Sequence, residues 1–103
     1  MNETPLPQDI VEKVRADFDP IIHDEILADL ARMRGAESSD RLLRCIVQYA
    51  AGDLERYTYA CDIAKLDYRD VIVFGEYDRI GNELVRVRNL NEPFTAPQDT
   101  PQT

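Results

Sequence analysis

The chain has 103 residues and a mass of 11.8 kDa, enough for one domain with a core of its own. Apolar residues make up 44%, which excludes wholesale disorder, and twenty acids against twelve bases leave a net charge of −8. No apolar run is long enough to span a bilayer, and the Met1-Asn2-Glu3-Thr4-Pro5 start lacks the basic and apolar stretches of a secretory leader. A cytoplasmic, bacterial-type protein is therefore expected, with no membrane partner. Residues 1–40 hold ten acids and four bases, and residues 41–103 hold ten and eight. The acidic character sits mainly in the N-terminal third. Such a surface repels phosphate backbones and favours a basic partner.

The first helix is expected from Pro7 to Phe18, where Leu6, Ile10, Val14 and Phe18 recur every four residues. Asp19-Pro20 breaks it, because a proline disfavours the helical conformation at the residue before it. The same dipeptide starts a second helix, with Asp19 as cap and Ile22, Ile26, Leu30 and Met33 along one face. Arg32 and Arg34 suit its negative C-terminal end, and Gly35 reads as a left-handed stop. His23, the sole histidine, reads as a surface or cap residue in the first turn of this helix.

Ser38 or Ser39 caps a third helix over Asp40 to Ala51. Its apolar face is Leu42, Leu43, Ile46, Val47, Tyr49 and Ala50, with Arg41, Arg44 and Gln48 opposite. Gly52-Asp53 ends that helix and begins a fourth, Leu54 to Leu66. Here Leu54, Tyr57, Cys61 and Ala64 form one apolar face, and Tyr59, Ile63 and Leu66 form another. A helix apolar on both sides is sandwiched between neighbours or faces a partner chain. Asp67 then caps a fifth helix, Tyr68 to Arg79, in competition with a short buried strand at Val71-Ile72-Val73-Phe74. Ile80-Gly81-Asn82 breaks the pattern, and Glu83 to Leu90 alternates enough to be extended. From Asn91 onward Pro93, Pro97 and Pro101 mark a flexible tail.

The expected fold is all-α: a compact bundle of four or five short helices in one domain, residues 1–90, with a short extended segment and a tail over 91–103. Helices three and four form its central hairpin, with Leu42, Ile46, Tyr49, Leu54, Tyr57 and Cys61 in contact.

The sequence shows no catalytic constellation. There is no glycine-rich phosphate loop, no GxSxG and no HExxH, and nothing near His23 offers a nucleophile. Asp62, Asp67, Asp70, Glu76 and Asp78 fit no known ligand spacing and are better explained by exposed helix faces and caps. No metal and no cofactor are expected. Cys45 and Cys61 are eight residues either side of the Asp53 turn, so antiparallel helices would bring them to one level. They read as packing cysteines, with a redox pair as the alternative.

Two further patterns bear on function. The pair of helices over 54–79 has helix-turn-helix proportions, but its second member is too apolar and acidic for a major groove. The combination Arg-x-x-Arg-Cys-Ile at 41–46, Ala-Gly-Asp at 51–53 and Asp-Tyr-Arg-Asp-Val with Glu-Tyr-Asp within 67–78 resembles a type of short uncharacterised bacterial helical protein. That resemblance implies a compact helical hairpin and carries no activity with it.

The leading expectation is a non-enzymatic regulator or adaptor that binds a basic protein partner through its acidic face. A patch of Tyr59, Ile63, Phe74 and Tyr77 is expected to be its interaction surface and to pair two copies as a homodimer. The competing arrangement folds Leu84 to Leu90 over that patch. A DNA-associated transcriptional regulator using 54–79 is the first alternative, and a small enzyme or metal protein the second.

Overall fold

A computed structural model describes residues 6–94 of the chain. Four helices precede a β-hairpin: α1 (Gln8–Asp17), α2 (His23–Gly35), α3 (Asp40–Ala50) and α4 (Leu54–Glu76), then β1 (Tyr77–Ile80) and β2 (Glu83–Arg86). The protein is mostly helical, but the small antiparallel sheet corrects the all-α expectation.

Caps divide the chain where short polar side chains compete for the first backbone N–H groups of each helix. The Asp19 carboxylate accepts from the Ile21 N–H at 3.0 Å and opens a 3-10 turn, Pro20–Ile22, ahead of α2. Ser39 Oγ accepts from the Leu42 N–H at 3.1 Å, and the Asp53 carboxylate accepts from Glu55 at 2.8 Å. His23 is more than a surface cap: its Nε2–H donates to the Phe18 carbonyl at 2.7 Å and ties α2 to the end of α1. At the end of α2 the left-handed conformation falls on Glu37, φ 75°, rather than on Gly35.

The stripes predicted for α1 and α2 point inward. Ile10, Val14, Phe18, Ile26 and Leu30 are buried, and Phe18 meets Tyr57 edge-on at 6.0 Å. The centre of the core is α3, where Leu42, Leu43, Cys45, Ile46, Val47 and Ala50 are all buried. Each large aliphatic among them stabilises the fold by roughly 1.5–3 kcal/mol through burial. Its main partner is α4, as expected for the central hairpin, although Leu54 stays half exposed.

The hairpin forms because Ala51 and Gly52 both adopt left-handed φ, 49° and 86°. A Cβ at Gly52 would overlap the Asp17 carbonyl oxygen, so only glycine lets the end of α1 approach this turn. Glycine is needed a second time where α4 returns to α3. A Cβ at Gly75 would lie 2.6 Å from both Cα and Cβ of Cys45.

That return depends on a break at Asp67, whose φ of −157° and ψ of 100° interrupt α4. Its carboxylate caps the segment that follows by accepting from the Arg69 N–H at 3.0 Å. Tyr59 and Phe74 would stand about 22 Å apart on a straight helix at about 1.5 Å per residue. Their rings are instead 6.1 Å apart and stacked, so α4 folds back on itself and its two halves lie side by side. Leu66, expected on the second apolar face of the fourth helix, is exposed near the break, as is Tyr68.

The second half of α4 stops at Glu76, not Arg79. Tyr77 to Ile80 pair instead with Glu83 to Arg86, with Tyr77 opposite Arg86 and Ile80 opposite Glu83. Gly81, φ 64°, takes the left-handed position that a two-residue hairpin loop requires.

Two ion pairs absent from the sequence reading complete the fold. Arg44, expected on a solvated face, is buried, with its Nε donating to Asp9 Oδ2 at 2.8 Å. Glu76, expected on an exposed face, is fully buried. Its carboxylate accepts both forks of Arg41 at 2.8 and 2.9 Å and the Arg86 Nε at 3.0 Å. The reason is the chain beyond β2, which crosses this side of α3 and shields it. Val87 and Arg88 donate their N–H groups to the Glu76 carbonyl, and Leu90 is buried. Phe94 donates its N–H to Asp9 Oδ2 at 2.9 Å. Residues 91–94 are therefore held against α1, where a flexible tail was expected, and 95–103 lie outside the described residues.

Burial alone would raise the pKa of Glu76, but the Arg41 hydrogen bonds, the Leu90 amide and the neighbouring positive charge outweigh it and hold the group below its ordinary value of 4.5. Asp9 is likewise held below its ordinary 3.8, with burial opposed by the Arg44 bond and the Phe94 amide. Lowered carboxyl values contribute stability that is complete above the ordinary values and drains away as pH falls through the lowered ones. Urea midpoints should therefore hold steady down to about pH 5 and fall steeply below it. Asp9→Ala should cost about 3 kcal/mol at pH 7, because Arg44 is left buried and unpaired. Gly75→Ala should cost roughly 1–3 kcal/mol by overpacking the α3–α4 contact, measured by the same urea titrations.

Candidate interaction surface

Where α3 and both halves of α4 converge, three aromatic rings form one cluster. Tyr49 lies 5.0 Å from Phe74 and 6.4 Å from Tyr59 between ring centroids, and Tyr59 stacks on Phe74. Arg56 closes one edge. Its guanidinium sits 4.1 Å above the Tyr49 ring while its Nε donates to the Tyr49 carbonyl at 2.8 Å. Rings offset in this way attract through their quadrupoles, and a guanidinium over a tyrosine face adds a cation–π term.

Of the four residues expected to form the interaction surface, Tyr59 is 50% exposed, while Ile63, Phe74 and Tyr77 are half-buried. Ile63 and Phe74 also pack against the core, so they anchor the surface from below. Tyr77 belongs to β1, where it pairs with Arg86, and has no ring contact with the other three among the described residues. Tyr49 and Arg56 were not singled out in the sequence. Tyr49 reads there as one more apolar position of α3, and only the fold-back of α4 brings Phe74 beside it. The segment after the β-hairpin does fold back, but its Leu90 is seated beside Glu76 and Arg44, and Tyr59 stays half exposed.

A second feature is a cleft of about 410 Å³ between α2 and the start of α4, lined by Glu25, Asp29, Arg32, Leu54, Tyr57 and Thr58 among others. The buried Tyr57 hydroxyl donates to Asp29 Oδ2 at 2.6 Å, and the other oxygen of Asp29 pairs with Arg32. Burial first, then the bond to Asp29, pushes the Tyr57 hydroxyl well above its ordinary value. Both hydrogen-bonding groups are thus satisfied within the chain. The Thr58 hydroxyl beside them donates to the Leu54 carbonyl at 3.0 Å.

The two cysteines occupy different surroundings. Cys45 is buried against the returning half of α4, with its Sγ 3.9 Å from the Ile72 carbonyl, while Cys61 lies half-buried beside Tyr57. Both thiols are free. Burial and the charge of Glu76 push Cys45 up to about 12, and burial pushes Cys61 up to about 11. Among the described residues no three His, Cys, Asp or Glu side chains are grouped to hold a metal, and no helix is long and apolar enough to cross a membrane.

Compared with protein-family models, with curated proteins and with solved structures, the chain matches none.

Thiols held this high carry little thiolate at pH 8, so both should resist alkylation in the native protein. Mass spectrometry after iodoacetamide treatment should show an unmodified chain until urea is added, and then two adducts. Rapid native modification of Cys61 would contradict the burial described for it.

Proposed function

We propose that this chain is a non-enzymatic interaction module that pairs with a second copy through the aromatic corner of α3 and α4. The observation that carries the reading is the half-exposed Tyr59 ring stacked on Phe74 beside Tyr49. A tyrosine held rigid by neighbouring rings loses little conformational entropy on contact, which suits it to the centre of an interface. Ile63, packed against the core, extends the apolar area. In this reading the helices act as one bundle, five in number when α4 is divided at Asp67. The acidic α1–α2 surface, which exposes Asp19, Asp24 and Glu25, is left free to meet a basic protein partner. A cytoplasmic setting fits the two free thiols.

Sedimentation equilibrium at micromolar concentration tests the pairing. The expected species has twice the 11.8 kDa chain mass. Tyr59→Ser should weaken association by roughly tenfold or more, the usual cost of losing a central aromatic contact. A single 11.8 kDa species throughout the range would sink the dimer. Retardation of duplex DNA at moderate salt would instead favour the regulator reading of residues 54–79, and turnover in a hydrolase panel would favour an enzyme.

A further inference from the structure

We propose that residues 87–94 form a latch released by acid, with Asp9 and Glu76 as its two catches, which opens as a unit while α1–α4 stay folded. This segment belongs to no helix or strand. Its seat is built from a few discrete contacts, and most of them engage its main chain. The Leu90 N–H donates to Glu76 Oε2 at 3.0 Å, and the Leu90 carbonyl accepts from Arg44 Nη1 at 3.3 Å. The Phe94 N–H donates to Asp9 Oδ2 at 2.9 Å. Between these points only the Leu90 side chain is buried, 2% exposed, while Asn91, Glu92 and Pro93 are exposed.

Both catches are carboxylates that serve two masters. Each is held by an arginine of α3 and each receives a backbone N–H from the segment. Protonation removes the charge that makes these N–H bonds strong, and it weakens the arginine pair at the same time. The helices share these two ion pairs but are held in addition by the apolar contacts of α3 with its neighbours, which do not titrate. Acid therefore acts on the latch before it acts on the core.

The charges around each catch come from every side. Glu76 faces Arg41 and Cys45 from α3, Arg86 from β2 and Arg88 from the segment itself. Arg88 also donates to the Gly75 carbonyl at 2.7 Å and pairs with Asp78. Asp9 faces Arg44 from α3, and Lys13 of α1, paired with Asp17, sits over the Phe94 ring. Besides the two catches, the carboxylates in these pairs are Asp78 and Asp17. The last two are exposed or half-exposed helpers and touch no main-chain group of the segment in these pairs.

Amide NMR of the full chain during an acid titration tests the latch. Leu90 and Phe94 should move to random-coil positions at a higher pH than Ile46 and Val47, whose amides lie within α3. Loss of all four at one midpoint would overturn the proposal. A second variant guards against a trivial result from altering the catches themselves. Leu90→Ala, which shortens the buried side chain and keeps the N–H that reaches Glu76, should raise the midpoint for Phe94 and leave that for Ile46 and Val47 in place. An equal shift of both midpoints would show that the segment is part of the core, and would also overturn the latch.

Discussion

Glu76 sits at the C-terminal end of α4, where the unpaired helix carbonyls already make the local field negative, and it is fully buried there. Neither placement is favourable for a carboxylate. The position is tenable because Arg41 reaches it in a bidentate fork from α3, Arg86 from the hairpin, and the Leu90 amide from the crossing segment. The carboxylate thus joins elements that meet only in the folded chain. Its main-chain carbonyl binds Val87 and Arg88, so the helix end is capped by the segment its side chain holds in place. Arg44 and Asp9 repeat the arrangement on the other side of Leu90.

The same crowding around α3 accounts for the fold-back of α4. A short helix can bury most of its surface only if neighbours approach from several sides, and α3 is buried along nearly its whole length. The break at Asp67 lets one helix supply two of those neighbours. Gly75 then permits backbone-to-backbone approach at Cys45. The aromatic corner follows from this geometry, since Tyr49, Tyr59 and Phe74 come from three segments that only the reversal brings together.

Much of the helical layout was legible in the chain. Local signals, each contained within a few residues, placed the caps at Asp19, Ser39, Asp53 and Asp67 and the stripes Ile10–Val14–Phe18 and Ile26–Leu30. Tyr59, Ile63 and Phe74 were expected to form an uncovered patch, and of the three Ile63 and Phe74 pack partly against the core while Tyr59 stays half exposed. The hairpin was harder to read. Gly81-Asn82 is a proper turn signal, but the flanking strands are four residues each and carry Asp, Arg and Glu among their apolar positions. Such short runs have weak alternation, and a helix continuing from Val71 to Phe74 outweighs them until Glu76 is seen to be tied down.

The capped starts at Asp19, Ser39 and Asp53, the inward stripes of α1 and α2 and the break at Asp67 were determined by the sequence alone, because capping and periodicity act over one or two turns. The burial of Arg44 and Glu76 was decided only by the tertiary structure. A charged residue on a helix has the same local pattern whether it faces water or a partner. Asp9 lies 35 residues from Arg44, and Arg41 lies 35 from Glu76. The energy that justifies burying either pair exists only when both members, and the segment that shields them, have arrived.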